Sequence, residues 1–169
     1  MKYYKTDSIN QSVRRNAAQF VTKAEEVYNQ QIIAVAEQLR KNRSRHPIIL
    51  ISGPSGSGKT TTALRIEQLL DSWGCETHTI SMDNYFLPFH YGKMPLDENG
   101  NIDLESPQRL DTSLLQEHLA RLLNYDPVEV PVFDFTTQTR TGMIPLHRKK
   151  DELIILEGIH ALNPDVIGQ

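Results

Sequence analysis

The chain has 169 residues, enough for about one domain of ordinary size. Its 38% hydrophobic and 23% charged residues exclude a disordered tail, and a formal charge of −3 provides no global field for nucleic acid. No apolar run approaches the ~20 residues of a membrane span, the N-terminus carries no apolar signal core, and the single cysteine, Cys75, cannot form an internal disulfide. These features predict a cytoplasmic protein that engages neither nucleic acid nor membrane and binds anions only at a local site.

From Ser12 to about Arg43 the apolar residues recur at spacings of three and four: Val13, Ala17, Phe20, Val21, Ala24, Val27, Tyr28, Ile32, Val35 and Leu39. This predicts one long amphipathic helix, capped by Ser12, packed on a core through its stripe and stopped before Pro47. Residues 1–45 are expected to form an N-terminal helical extension and 46–169 the main domain. The Arg40–Arg45 cluster reads as a solvated helix end and linker sooner than as a phosphate or nucleic-acid patch.

Ile48–Ser52 is a β-branched apolar run and predicts a buried strand. A glycine-rich turn follows, then a helix over 60–72 with Ala63, Ile66, Leu69 and Leu70 at helical spacing and Gly74 as its C-terminal stop. Thr77–Ser81 predicts a second strand. Tyr85–Pro107 contains three prolines and an Asn99-Gly100 turn signal; so long an irregular excursion in a small domain is usually functional. Asp111 or Thr112 caps a helix to about Leu123. Val128–Phe135 alternates as a strand, with Pro131 favouring an edge, and Leu153–Leu156 is a further buried strand. The order predicts an α/β fold with a parallel sheet.

Gly53-Pro54-Ser55-Gly56-Ser57-Gly58-Lys59-Thr60 matches G-x-x-x-x-G-K-[ST] between a strand and a helix. The glycines let successive backbone N–H groups point inward at phosphate oxygens, and the helix adds the positive end of its dipole. Lys59 supplies a point charge to the outer phosphates, Thr60 a hydroxyl for magnesium, and Thr61 completes the candidate nucleotide contacts. The motif alone leaves ATPase, GTPase and kinase open.

Three other features bear on that choice. Asp83 follows the second strand, on the ligand side of an α/β sheet, where it can accept a proton from a hydroxyl or simply cap the next loop. Glu157 ends the last strand and can hold magnesium or its water, or be an ordinary polar strand end. Pro131–Arg140 joins the aromatic Phe133 and Phe135 to Asp134, Gln138 and Arg140, a mixture suited to stacking and charge contacts, and equally to an edge strand and turn. His160 beside Glu157 is more readily structural than functional.

Together these segments resemble the uridine kinase and phosphoribulokinase family. Ser81-Met82-Asp83-Asn84-Tyr85-Phe86 is similar to a family segment whose aspartate is the catalytic base. Asn101-Ile102-Asp103 is similar to one whose aspartate holds ribose hydroxyls, Pro131–Arg140 to one that frames the base, and Leu156-Glu157-Gly158-Ile159 to its strand end. Phe133 and Gln138 stand where uridine kinases carry tyrosine and histidine. Leu96–Gly100, Glu157–His160, Leu162-Asn163-Pro164 and the long first helix look like a branch of longer, multidomain bacterial proteins. The resemblance spans His46–Pro164. It implies a P-loop fold of three layers, a parallel sheet with helices on both faces. It further implies an ATP- and Mg2+-dependent kinase acting on a nucleoside. Lys59 and Asp83 would be catalytic, Thr60 and Glu157 would hold the metal, and Tyr85, Asp103, Phe133, Phe135, Gln138 and Arg140 would surround the substrate. The alternatives are a non-catalytic nucleotide-binding module and a kinase for another small alcohol or sugar phosphate. The resemblance also implies further strands and an arginine-rich lid after the Glu157 strand. The expectation is therefore a fragment of a longer protein, or an Ile48–Ile51 edge covered by the N-terminal helix or by another chain, including a second copy.

Overall fold

The computed structural model describes residues 5–89 and 94–168. Part of the Tyr85–Pro107 excursion, residues 90–93, and the two chain ends lie outside the described residues. The elements are α1 (Thr6–Asn42), β1 (Ile48–Ser52), α2 (Lys59–Ser72), β2 (Thr77–Ser81), a 3-10 turn (Met82–Tyr85), a second 3-10 turn (Pro107–Arg109), α3 (Thr112–Leu123), β3 (Val128–Asp134), β4 (Thr139–Leu146), β5 (Leu153–Gly158) and the short α4 (Pro164–Ile167).

β5 is the centre of the molecule. It pairs in parallel with β1 on one side and β2 on the other, giving the order β1-β5-β2. A central parallel strand is covered on both faces and must be apolar throughout. Leu153, Ile154, Ile155 and Leu156 are all fully buried. Their alternation divides the core. Leu153 and Ile155, with Ile49 and Ile51 of β1, face Ala63, Ile66 and Leu70 of α2. Ile154 and Leu156, with Ile48 and Leu50, face Leu115, Leu119 and Leu122 of α3. Each such side chain contributes about 1.5–3 kcal/mol by leaving water, so helices are held on both faces, as expected.

The local signals explain the boundaries. Asp111 accepts a hydrogen bond from the Leu114 amide at 3.2 Å and caps α3. At the end of α2, Gly74 takes φ +71°. Its amide bonds the Asp71 carbonyl, and the Cys75 amide bonds Leu70 O, both at 2.9 Å. This is the glycine-terminated helix ending expected from sequence.

Three expectations need correction. First, α1 begins at Thr6, not Ser12, and is interrupted at Asn16, whose backbone is extended (φ −163°, ψ 95°). Asn16 Oδ1 accepts from the Gln19 amide at 3.0 Å and so caps the second, longer segment. The Ser12 hydroxyl only donates back to Ser8 O. Second, the stripe of α1 is core only near its C-terminal half. Ile32 and Ala36 are buried against α2, whereas Val13, Val21, Val27 and Val35 remain exposed. Periodicity reports a face without saying whether a partner reaches it. Third, Val128–Phe135 does not join the parallel sheet. β3 forms a separate antiparallel hairpin with β4, which sequence reasoning missed because Thr139–Leu146 alternates poorly and stays largely exposed. Pro131 is tolerated there because both strands of a two-stranded ladder are edges.

α1 docks on α2 through polar contacts as well. Tyr28 Oη and Thr62 Oγ1 are 2.9 Å apart. The Arg65 guanidinium lies over the Tyr28 ring, 5.1 Å from its centre, within the reach of a cation–π contact. The outer edge of β1 carries no strand among the described residues. No helix is long and apolar enough to cross a membrane among the described residues.

Candidate functional site

The loop between β1 and α2 is shaped by its glycines. Gly56 and Gly58 have φ +73° and +84°, a region costly for other residues. A Cβ on Gly53 would lie 2.6 Å from Ser57 Oγ. Gly58 is the N-cap of α2, so no side chain caps this helix, and no acidic residue occupies its first turn. The first amides of α2 are thus left for an external anion. Pro54–Gly58, Thr60 and Thr61 are exposed and Lys59 is half-buried.

The opposite wall is built by the ends of β2 and β5. Strand register sets Glu157 between Ile51 and Ser81. Alternation along β5 puts it on the face of Leu153 and Ile155, toward α2 and the loop. Glu157 is buried, and its Oε2 has no hydrogen-bond partner among the described residues. Such an atom is costly unless something fills the place of water. The 3-10 turn after β2 presents Asp83. Burial, then the Glu157 charge, pushes the Asp83 carboxyl above its ordinary range; Lys59 opposes the shift, Glu105 adds to it and His160 reduces it.

Ser55, Lys59 and Asp83 share one cleft of about 250 Å3 with Phe135 and Gln138. Phe135 is more than half exposed and stands edge-on to Phe86 and Phe133, with ring centroids 6.0 and 5.2 Å away. Gln138, at φ +55°, donates from Nε2 to Phe135 O at 2.8 Å and accepts at Oε1 from Arg109 Nη2 at 3.0 Å.

Four of the residues expected to surround the substrate do not line this cleft. Tyr85 is fully buried and its hydroxyl pairs with His118 Nδ1 at 3.0 Å. Burial raises the Tyr85 pKa far above its usual value and lowers that of His118. Phe133 is buried behind Phe135. Arg140 braces the turn from outside, bonding Phe86 O, Tyr85 O and Asp111 Oδ2 at 3.1–3.2 Å. Asp103 accepts from the Glu105 amide at 3.0 Å in a tight turn, while its neighbours Leu104 and Glu105 reach the cleft. His160 Nε2–H donates to Glu105 O at 2.6 Å and holds that loop to the end of β5.

Arg109 escaped sequence reasoning. It lines the cleft, is buried, makes no ion pair among the described residues and leaves Nε without a partner. Its guanidinium lies 4.8 Å from the centre of the Phe86 ring. Burial alone lowers its pKa. No local pattern marks this arginine, because its place is set by the way the excursion folds back on the Phe86 turn.

A parallel sheet flanked by helices, with a glycine-rich phosphate loop facing a carboxylate at the neighbouring strand end, defines a P-loop fold. Residues 48–168 match the family model described as Phosphoribulokinase / Uridine kinase family. The chain belongs to that family. It is 36% identical over 126 residues to a uridine kinase of Lactobacillus johnsonii, covering 73% of this chain and 57% of that protein. It is 35% identical over 124 residues to a uridine kinase of Anoxybacillus flavithermus, covering 73% and 56%. The chain thus spans somewhat over half the length of these relatives. A solved structure described as a possible uridine kinase from Bacillus stearothermophilus shares the fold, with a TM-score of 0.61 at 22% identity over 78% of this chain and 71% of that one.

Proposed function

We propose that this chain carries the phosphoryl-transfer centre of an ATP-dependent kinase whose acceptor is a nucleoside hydroxyl. The observation that carries the proposal is the single cleft in which Lys59 and Ser55 of the phosphate loop face Asp83, Phe135 and Gln138. The names of the relatives, uridine kinase in each case, support the acceptor class. In this reading residues 46–169 are the kinase unit and residues 1–45 an extension docked on α2, in a cytoplasmic protein. It works with a small molecule and without nucleic acid or membrane.

The loop from Gly53 to Thr61 holds the phosphates through the backbone amides of its residues other than Pro54, Lys59 neutralises charge at the transferring group, and Asp83 orients the acceptor hydroxyl and takes its proton. Phe135 stacks on the base and Gln138 offers its edge a hydrogen bond; Phe133, Tyr85, Asp103 and Arg140 hold the walls. The orphaned Glu157 Oε2 and the exposed Thr60 hydroxyl fit a hydrated Mg2+, an oxygen-loving cation that keeps several waters. Bound MgATP supplies the phosphoryl group and spreads the charge that develops on it.

A second reading has its own observation. Arg109 is a buried cation with no counter-ion among the described residues, in the acceptor half of the cleft. An anionic alcohol such as a sugar phosphate would pair with it.

The test is ADP release by wild type and Lys59→Ala with nucleosides and with sugar phosphates. Nucleoside-dependent release in wild type, lost in Lys59→Ala, is the expected result. Release with sugar phosphates alone establishes the second reading. ATP binding without any turnover establishes a non-catalytic module.

A further inference from the structure

A separate cavity of about 420 Å3 lies beside β2, between α2 and the β3–β4 hairpin. Three buried polar atoms without hydrogen-bond partners belong to residues lining it: Glu67 Oε2, His78 Nε2 and Thr79 Oγ1. Buried polar groups are rarely left unsatisfied, and of these His78 Nε2 faces two carboxylates, Glu152 and Glu76, at ion-pair distance. Glu76, the residue before β2, and His78 are two residues apart and point to one face of the sheet. Glu152 precedes β5 by one residue and sits beside Glu76, because Thr77 pairs with Leu153. Two carboxylates are thus set against each other across neighbouring strands, an unfavourable pairing that Lys149, 3.5 Å from Glu152 Oε1, offsets from one side.

The three donor groups stand at ion-pair distances that a shared ion could also bridge. His78 Nε2 lies 3.5 Å from Glu152 Oε2 and 3.9 Å from Glu76 Oε1, and the three donor atoms are all within 4.8 Å of one another. Metal–ligand bonds of about 2.0–2.2 Å at tetrahedral angles put neighbouring donor atoms about 3.4 Å apart. Glu152 is buried, and its carboxylate is already oriented, Oε2 accepting from the Lys149 amide at 2.6 Å and Oε1 lying 3.5 Å from Lys149 Nζ. Outer-shell hydrogen bonds of this kind aim metal ligands.

We infer that Glu76, His78 and Glu152 form a site for a divalent transition-metal ion of the zinc class, distinct from the phosphate loop. One imidazole and two carboxylates are a donor set zinc accepts, with room in the cavity for a water as fourth ligand. The ion ties the starts of β2 and β5 together. The site is independent of the kinase assignment.

The probe is ZnCl2, titrated by calorimetry into the metal-stripped whole chain with excess Mg2+ present to occupy hard oxygen sites. One equivalent is expected to bind wild type. His78→Gln and Glu152→Gln, each shown folded by circular dichroism, should bind at least tenfold more weakly. Glu157→Gln, in the phosphate-loop site, should bind zinc as wild type does. If Glu152→Gln does not fold, His78→Gln decides alone. A wild-type chain that takes up no zinc, or a folded His78→Gln that binds zinc as tightly as wild type, overturns the inference.

Discussion

Asp83 sits among opposing influences, and their balance makes a specific demand on pH. Burial and Glu157 raise its pKa while Lys59 lowers it, and the net direction is upward. A general base acts only when deprotonated. The acidic limb of kcat/KM should therefore fall at a pH above the ~3.9 of an ordinary aspartate, and activity should be lost as pH drops through that raised value. Asp83→Asn should remove the limb and lower kcat by about 10² or more, read from pH–rate profiles of the two proteins. The same shift has a sign for stability. A carboxyl that binds its proton more tightly folded than unfolded makes the fold less stable as pH rises through the window between the two values. At pH 7 the isosteric amide should raise Tm slightly while it slows turnover. The phosphate loop and Asp83 were legible in sequence because both are tied to strand ends by short spacings. Arg109 was not, because nothing local distinguishes a buried arginine from a solvated one.

Elements in this chain are set by close approach as much as by propensity. Gly158 ends β5 beside the turn that carries Asp83, and a Cβ there would fall 2.5 Å from Met82 Cβ. A Cβ is fixed to its backbone and cannot swing aside. Gly158→Ala should cost about 1–3 kcal/mol by overpacking and should lower kcat by moving Asp83, both measurable by denaturant melts and kinetics. α1 shows the opposite case, a stripe only partly used. Ile32 is 8% exposed and Val21 57%. Ile32→Ala should therefore cost about 2 kcal/mol or more, and Val21→Ala no more than about 0.5. In the same sense, amide hydrogen exchange should find the α1 segment before Asn16 unprotected and the segment over Ile32 and Ala36 protected. The periodicity of α1 was readable; its interruption at Asn16 was not. An asparagine flanked by good helix formers carries no stop signal until its side chain is seen to cap the Gln19 amide of the second segment.

At the scale of the whole molecule, β5 connects everything: it separates the two cores, joins β1 to β2, and carries Leu153 near one candidate site and Glu157 into the other. The sequence by itself determined the alternation of strand and helix, the phosphate loop with its lysine, and the two carboxylates at strand ends. These depend on local backbone geometry and on hydrophobic runs that admit one arrangement, a parallel strand buried on both faces. Only the tertiary structure decided the strand order, the exile of β3 into its own hairpin, and the retreat of Tyr85, Asp103, Phe133 and Arg140 from the cleft. It alone brought Arg109 to the cleft and gathered Glu76, His78 and Glu152. Strand pairing and side-chain assembly of this kind join residues far apart in the chain. The free energy that selects them comes from packing and from satisfying buried polar groups, and neither leaves a period or a motif in the sequence.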